Sequence, residues 1–247
     1  MSAEASFQLS LTDAVVCLRG LPDESVDLVL TDPAYESLEK HRAVGTTTRL
    51  KVSAGSSNPW FSGFPNARFG ELFAEVYRVL KPDTHFYLMC DPETAFIAKP
   101  IAEARGFKFW KPLVWDKRSI GMGYHYRARY EFVLFFEKGK RRLANLGIAD
   151  VLEVPRVRNG YPAEKPVALA EVLIGQSSLE REIVVDPFMG SGSVGVAALK
   201  SGRRFIGGDV APPALDLTRK RLLEQGGVEG TLLTALEPAQ RRLALSS

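Results

Sequence analysis

Residues 183–195, Ile-Val-Val-Asp-Pro-Phe-Met-Gly-Ser-Gly-Ser-Val-Gly, form a short apolar strand pattern that runs into a glycine turn and then into a helix pattern. Gly190 and Gly192 let the backbone pass close to a ligand, and the free N–H groups of a helix N-terminus attract an anion. Asp209 follows Gly190 by nineteen positions, at the end of the next predicted strand. A carboxylate there can accept hydrogen bonds from ribose hydroxyls, so these features predict a nucleoside site.

Strand and helix patterns alternate along the rest of the chain. Several of the strands are continuous apolar runs, which is typical of a sheet that is covered on both faces. The pattern therefore predicts an α/β domain with helices on both sides of the sheet. The predicted strands are 7–11, 26–31, 84–90, 107–115, 130–136, 182–187 and 203–208, and the predicted helices are 12–20, 68–80, 92–105, 165–176, 192–201 and 212–224.

Composition excludes several classes of protein. The 247 residues are 45% hydrophobic and 25% charged, as in ordinary globular proteins, and no apolar stretch approaches the ~20 residues that cross a bilayer. The first residues lack the pattern of a secretory signal, so we expect a cytoplasmic protein. Two cysteines exclude a disulfide framework, and neither His41 nor His125 has metal-ligand spacing, so no metal is expected. We expect one catalytic domain over 1–247, with a long loop at 36–67 and a short basic appendage at 138–160.

The glycine turn also satisfies the Gly-x-Gly-x-x-Gly pattern of dinucleotide-binding folds, through Gly190, Gly192 and Gly195. A nicotinamide or flavin enzyme is one alternative, and a purely structural glycine turn is another. The motif lies near the C-terminus, however, whereas a dinucleotide fold usually opens with it. Nothing downstream could form the second nucleotide-binding half, so we rank the dinucleotide interpretation low.

A second turn follows the apolar strand 26–31, where the sequence reads Asp32-Pro33-Ala34-Tyr35. The strand delivers a carboxylate, a rigid proline and an aromatic ring to the carboxyl edge of the sheet, where open α/β sheets bind ligands. An Asp-Pro turn after a strand is common by itself. Together with the glycine turn it becomes a specific signal.

At these two turns the sequence resembles the amino-methylating DNA methyltransferases, which methylate N6 of adenine or N4 of cytosine with S-adenosylmethionine. The family carries a D/N/S-P-P-Y/F/W turn and an F-x-G-x-G turn, and the catalytic turn comes first here, as in its β group. Ala34 stands where the family has a second proline, Tyr161 where histidine is usual, and Asp209 where glutamate is usual. Three further segments are similar to the family, in the same order, and they are 11–27, 159–166 and 203–209.

The resemblance implies a Rossmann-like methyltransferase fold, with a seven-stranded, mostly parallel sheet, one reversed strand and a permuted motif order. It implies S-adenosylmethionine as cofactor and double-stranded DNA as partner, with the target base flipped out. Asp32 and the Pro33 carbonyl would accept the N–H groups of the target amine, Tyr35 would stack on the base, and Lys165 could neutralise the carboxylate of the cofactor. The residues assigned to the cofactor are Asp13, Ala14, Asp32, Tyr161, Lys165, Asp186, Phe188, Gly190, Ser191, Gly192 and Asp209.

Basic residues concentrate in the window 108–142, which holds ten Lys and Arg against three acidic residues, a balance of 10 − 3 = +7. Such a window is typical of a phosphate-binding surface. The family normally carries its recognition region in the interval 138–158, which is short here. We therefore expect other segments to contribute to DNA recognition. A homodimer is a further expectation. The expected DNA contacts are Lys40, Arg42, Arg49, Tyr124, His125, Arg127, Arg141 and Arg142, with Arg156 and Arg158 as further phosphate ligands.

The substrate remains open among related alternatives. Aspartate at the head of the catalytic turn favours adenine, because serine is commoner in the cytosine-N4 enzymes. RNA and protein-glutamine methyltransferases usually begin this turn with asparagine. From a different class, a catalytically silent nucleic-acid-binding module would keep the fold, but the intact Asp32, Pro33 and Tyr35 argue against it.

Overall fold

Where the structure describes the chain, the fold is built on one nine-stranded sheet. A computed structural model describes residues 6–34, 36, 63–121, 126–158 and 163–233. In the part of the chain it describes, the strands lie in the order β6-β4-β5-β3-β2-β7-β8-β1-β9. Their bounds are β1 Ser6–Leu11, β2 Val26–Thr31, β3 Leu80–Cys90, β4 Lys108–Asp116, β5 Tyr130–Lys138, β6 Val151–Glu153, β7 Ile183–Asp186, β8 Arg204–Asp209 and β9 Val228–Glu229.

The predicted α/β fold is confirmed, and all seven predicted strands are present. The prediction of seven strands is corrected to nine, because β6 and β9 add one short strand at each edge. These strands have only three and two residues. A pattern with a period of two residues cannot be recognised in segments of that length.

Strand direction decides where each loop emerges. β5 pairs antiparallel with both β3 and β4, and every other pairing in the sheet is parallel. Eight strands therefore end at one edge, which we call the carboxyl edge. β5 starts at that edge and ends at the opposite one, which we call the amino edge. The single reversed strand agrees with the expectation from the resemblance.

Within the ranges that the structure describes, six α-helices cover the two faces. On one face, α1, α2 and α3 pack through Leu18, Phe73 and Ala98 against sheet residues that include Val29 and Phe86. On the other, α4, α5 and α6 pack against the alternate positions of the same strands. Because both faces are covered, all six residues of β2 are buried. The helix bounds are α1 Ala14–Arg19, α2 Phe69–Val79, α3 Pro92–Ala104, α4 Val167–Ser177, α5 Ser193–Lys200 and α6 Pro212–Glu224.

The appendage expected at 138–160 crosses from one edge of the sheet to the other. It leaves β5 at the amino edge, returns through β6 beside β4, and reaches the carboxyl edge at residues 154–158. Within the described ranges, no helix has both the length and the apolar character that crossing a membrane requires.

Candidate cofactor and methyl-transfer site

The glycine turn lies between β7 and α5, at the carboxyl edge. Gly190 and Gly192 adopt φ values of +49° and +78°, a left-handed region that favours glycine. A Cβ on Gly192 would lie 2.7 Å from the side chain of Thr218, and the Thr218 hydroxyl donates a 3.0 Å hydrogen bond to the Gly190 carbonyl. The turn is thereby fixed against α6, with little room for a larger residue.

Arg221, also on α6, holds the same turn from another side. Its guanidinium donates to the Ser191 carbonyl at 2.7 Å and pairs with Glu164 at 2.9 Å. Glu164 belongs to the segment that precedes α4. Arg221 therefore joins the glycine turn to the residues next to Lys165, a connection that no sequence motif indicated.

Asp209, at the end of β8, faces the glycine turn. One carboxylate oxygen accepts the Gly190 N–H at 2.9 Å, and the other accepts the Ala211 N–H at 2.9 Å. Burial raises the pKa of this carboxyl above its ordinary value, although the backbone hydrogen bonds oppose the shift. The two backbone donors fix the orientation of the carboxylate at the cleft.

Asp186 connects the glycine turn to the end of β2, which precedes the Asp32-Pro33 turn. Its Oδ1 accepts a 2.7 Å hydrogen bond from the Thr31 hydroxyl, at the end of β2, and a 3.0 Å hydrogen bond from the Phe188 N–H. Burial raises the pKa of Asp186 to about 7, against the effect of those two donors, and the nearby carboxylates of Asp32 and Asp209 act in the same direction as burial. The proton is therefore held more tightly than by an exposed aspartate.

Asp13 closes one end of the cleft through a partner that the sequence did not reveal. Its side chain caps α1 by accepting the Val15 N–H, and Arg68 donates two hydrogen bonds to it, at 2.7 and 2.9 Å. These bonds lower the pKa of the Asp13 carboxyl. The Arg68 guanidinium lies 5.1 Å from the centre of the Phe64 ring, and that ring contacts Phe188 edge-to-face at 5.0 Å.

Asp32 is paired with Lys165, just before α4. The Lys165 ammonium contacts Asp32 Oδ2 and lies 3.3 Å from Oε2 of Glu131. Lys117 contacts the other oxygen of Glu131 at 3.2 Å. Burial disfavours a charged lysine, but the Asp32 and Glu131 carboxylates outweigh it and raise the pKa of Lys165. Glu131 could have been found from the sequence, as a lone acid in the apolar run 130–136.

The residues that the sequence assigned to the cofactor and to catalysis line one cleft, as far as the structure describes them. The exception is Gly192, which lies in the turn beside the cleft. Arg68 and Phe64, which the sequence did not assign, also line it. Tyr35 and Tyr161 lie outside the described residues. The residues brought together are Asp13, Ala14, Asp32, Pro33, Lys165, Asp186, Phe188, Gly190, Ser191 and Asp209.

The residues expected to contact DNA are divided between the two edges. Arg127 is exposed at the carboxyl edge, in the loop that joins β4 to β5. Arg141 and Arg142 instead follow β5 at the amino edge. This edge is about 27 Å along the strand from the start of β5 at the carboxyl edge. The Arg141 guanidinium is bound to Glu182 at 3.0 Å. Arg141 and Arg142 therefore lie at the edge opposite the cleft, and their assignment to DNA stays a prediction. Lys40, Arg42, Arg49, Tyr124 and His125 lie outside the described residues.

Comparison with known sequences places these features in a family. The profile of a family described as DNA methylase, of N6 and N4 methyltransferases, matches residues 26–220. The chain belongs to this family. The resemblance and the fold expected from it are confirmed, and the dinucleotide interpretation is set aside. S-adenosylmethionine, the methyl donor of the family, is the cofactor that the cleft has to accommodate.

Two relatives from Escherichia coli strain K12 extend the match over most of the chain. The methylase YubD is 33% identical over 199 residues, which are 79% of this chain and 81% of YubD. The DNA adenine methyltransferase YhdJ is 28% identical over 250 residues, which cover 85% of this chain and 80% of YhdJ.

Solved structures show the same fold at lower identity. The M1.HpyAVI–SAM complex superposes with a TM-score of 0.66 at 23% identity, covering 87% of this chain and 100% of that one. The PvuII DNA methyltransferase, described as cytosine-N4-specific, gives a TM-score of 0.66 at 17% identity, covering 89% of this chain and 87% of that one. YhdJ is named for adenine and the PvuII enzyme for cytosine N4, so similarity to these proteins does not identify the base.

The raised pKa of Asp186 predicts a pH-dependent cost of folding. Because the pKa is about 7 in the folded protein against an ordinary 3.8, the folded state binds the proton more tightly. The protonated Asp186 therefore contributes to the free energy of unfolding at low pH. This contribution is lost as the pH rises from 3.8 to about 7. Asp186→Asn keeps the acceptor for Thr31 and Phe188 but cannot ionise. We expect its melting temperature, relative to wild type, to rise by on the order of 5 °C between pH 5 and pH 8.

The measurement is thermal unfolding across that pH range without cofactor. The matched control is Asp150→Asn, which removes an exposed carboxylate whose pKa is lowered by Lys111, so its effect should not change above pH 5. A difference between Asp186→Asn and wild type that stays constant with pH would contradict the assignment.

Proposed function

We propose that this protein transfers the methyl group of S-adenosylmethionine to N6 of adenine in DNA, with the target base flipped out of the duplex. One observation carries the proposal. The Asp32-Pro33 turn and the glycine turn follow strands β2 and β7, which are paired neighbours, and the Thr31–Asp186 hydrogen bond joins their ends. A methyl donor held at one turn is then beside a base held at the other.

The chemistry of the cleft suits the cofactor. We assign the fixed carboxylate of Asp209 to the ribose hydroxyls, and Asp13, which lines the same cleft, to the adenine amine. Phe188 supplies an apolar surface, and the backbone N–H groups at the start of α5, next to Ser191, suit a carboxylate. When bound, S-adenosylmethionine supplies an electrophilic sulfonium methyl group, and the acidic side chains along the cleft favour its positive charge.

The residues of the catalytic turn supply acceptors rather than a nucleophile. The exocyclic amine of adenine is a poor nucleophile because its lone pair is delocalised into the ring. Asp32 and the Pro33 carbonyl each accept one N–H, which favours tetrahedral character at nitrogen and frees the lone pair for in-line attack. Since the methyl donor is already activated, alignment is the main requirement, and it can contribute ~7–11 kcal/mol. Tyr35 is assigned to stacking on the flipped base.

Lys165 has a different role here from the one that the family resemblance implied. Its ammonium is held between Asp32 and Glu131, so it orients the catalytic carboxylate and keeps it in the ionised form that accepts an N–H. Glu131, itself paired with Lys117, holds Lys165 in that position. We therefore assign Lys165 and Glu131 as positioning residues for Asp32.

Adenine is preferred to cytosine because the catalytic turn begins with aspartate. The 28% identity to YhdJ, a DNA adenine methyltransferase, favours the same base. Cytosine N4 is the second candidate, because the PvuII enzyme, which acts there, has the same fold. The two bases differ in ring size and in the ring atoms next to the amine. The methylated nucleoside therefore identifies the substrate directly.

Replacement of Asp32 tests the proposed chemistry. We expect Asp32→Ala to lower the rate of methyl transfer on the order of a thousandfold, since one of the two acceptors is lost, while the Kd for S-adenosylmethionine stays within a few-fold. Mass spectrometry of nucleosides from unmethylated DNA incubated with the wild type should show N6-methyladenine. N4-methylcytosine would refute the adenine assignment, and full activity in Asp32→Ala would refute the role of Asp32.

Replacement of Lys165 separates its two assignments. If the ammonium positions Asp32, Lys165→Met should lower kcat about 100-fold, because a small misplacement of a catalytic group is costly. The acid limb of the kcat profile should also move to higher pH, since loss of a cation favours the protonated carboxyl. The Kd for S-adenosylmethionine should change little.

The matched control is Lys99→Met, which removes an exposed lysine that is paired with Glu103 on α3. It should leave kcat and its pH profile at wild-type values. A large rise in the cofactor Kd of Lys165→Met, with kcat and the pH profile unchanged, would show that Lys165 binds the cofactor carboxylate instead.

A further inference from the structure

Residues 63–68, which lead into α2, lie along one wall of the cleft. Gly63, Phe64, Pro65 and Arg68 all line it. The sequence motifs assign no function to these residues. We call residues 63–68 the bridging segment, because their contacts reach both the catalytic turn and the glycine turn.

Two backbone hydrogen bonds attach the bridging segment to the chain around the catalytic turn. The Phe64 N–H donates to the Ala34 carbonyl at 2.8 Å. The Asn66 N–H donates to Oε2 of Glu36, also at 2.8 Å. Ala34 comes directly after Pro33, whose carbonyl is the proposed acceptor of the target amine. The bond from Phe64 therefore restrains the backbone that follows this carbonyl.

The ring of Phe64 connects the same segment to the glycine turn. The side chain is 5% exposed, and its ring contacts Phe188 edge-to-face at 5.0 Å between centroids, a geometry that aromatic pairs prefer. Phe69, the first residue of α2, lies 5.6 Å away. The Phe64 ring is thus packed between α2 and the glycine turn.

Arg68 holds the other end of the bridging segment. Its guanidinium lies over the Phe64 ring and donates two hydrogen bonds to the Asp13 carboxylate. Paired hydrogen bonds of this kind fix geometry as well as adding energy. A displacement of the segment would therefore break contacts at three places along the cleft, which are Ala34, Phe188 and Asp13.

The torsions on either side of the Pro33 carbonyl need such a restraint. The Pro33 ring fixes φ of its own residue only, and alanine at position 34 leaves ψ of Pro33 and φ of Ala34 free to vary. A proline at position 34 would restrict both torsions. In this chain the hydrogen bond from Phe64 supplies a restraint from outside the turn.

We propose that Phe64 is a positioning residue for methyl transfer, whose N–H and ring together hold the Pro33-Ala34 backbone at a fixed position relative to the glycine turn. The proposal rests on the proposed function, because it uses the Pro33 carbonyl as an acceptor of the target amine. A misplacement of about 1 Å between reacting groups can lower a rate about 100-fold. Phe64 acts through the turn, since its side chain has no polar atom with which to accept a hydrogen bond.

The test compares Phe64→Ala with Phe107→Ala. Both variants remove a buried ring from the same core, but Phe107 does not line the cleft. The measurements are the single-turnover rate of methyl transfer at saturating cofactor and DNA, the Kd for S-adenosylmethionine and the melting temperature. Hydrogen exchange of the amide of residue 64 is measured without cofactor or DNA.

We expect Phe64→Ala to lower the single-turnover rate at least about tenfold, with a rise of less than about threefold in the cofactor Kd. The amide of residue 64 should exchange at least about tenfold faster than in wild type, because its bond to Ala34 opens more often. Phe107→Ala should lower the melting temperature similarly, since it also leaves a cavity, but change the rate and this exchange by less than about threefold.

A second substitution tests whether Phe64 acts through the turn. Ala34→Pro restricts the turn from within the chain and introduces the residue that the family carries at this position. Added to Phe64→Ala, it should restore the rate at least about threefold. If Phe64→Ala does not unfold cooperatively, Phe64→Leu replaces it, and the same changes are expected at about threefold, because leucine keeps the apolar contact but not the edge-to-face geometry.

Three outcomes would overturn the proposal. They are a wild-type rate in the Phe64 variant, no gain from Ala34→Pro, and a large rise in the cofactor Kd with the saturated rate unchanged, which would make Phe64 a cofactor contact only. Wild-type protein that binds the cofactor but methylates no DNA would instead refute the proposed function. The exchange measurement needs no substrate, so it would still decide whether Phe64 holds the turn.

Discussion

The parallel pairing of β2 with β7 is the constraint on which the site depends. Leu28 lies opposite Val184 and Val29 opposite Val185, so residues more than 150 positions apart in the chain share one register. This register ends both strands at the same edge, where Thr31 donates to Asp186. A shift by one residue would turn every side chain of a strand to the other face. The buried Asp27 of β2 also accepts the N–H of Ile183, the first residue of β7, at 2.9 Å, so a hydrogen bond near each end of the pairing fixes the relative position of the two turns.

Neighbouring carboxylates in this cleft have opposite electrostatic surroundings. Asp32 faces the Lys165 ammonium, whereas the described contacts of Asp186 are neutral donors, and its pKa is about 7. Two carboxyl groups in surroundings of opposite charge are suited to different roles. Asp32, beside an ammonium, is suited to accept hydrogen bonds, and Asp186, which accepts from Thr31, connects the ends of β2 and β7. Lys165 has to be held by two carboxylates because a buried lone cation would be costly.

The sequence predicted those features of the fold and site that depend on local pattern. The seven long strands, the six helices, the glycine turn with Asp209 and the Asp32 turn all have short-range signals. Contacts between residues that are distant in the chain had no such signal in the sequence. Arg68 meets Asp13 across 55 positions, and Lys117 and Lys165 meet at Glu131, which is recognisable only as a charge within an apolar strand. β6 and β9 were missed because they are too short to show a period.

The reversed direction of β5 explains why one basic window serves two different purposes. From 108 to 142 the chain passes along β4, turns at the carboxyl edge and returns along β5, so charges near 117–129 lie beside the catalytic turn and those near 138–142 lie at the other edge. Two members of the second group are engaged within the structure: the buried Lys138 donates to the carbonyls of Tyr77 and Leu80, and Arg141 pairs with Glu182. Net charge summed along a window therefore overstates the basic surface available to DNA, and strand direction decides which part of it can face a duplex.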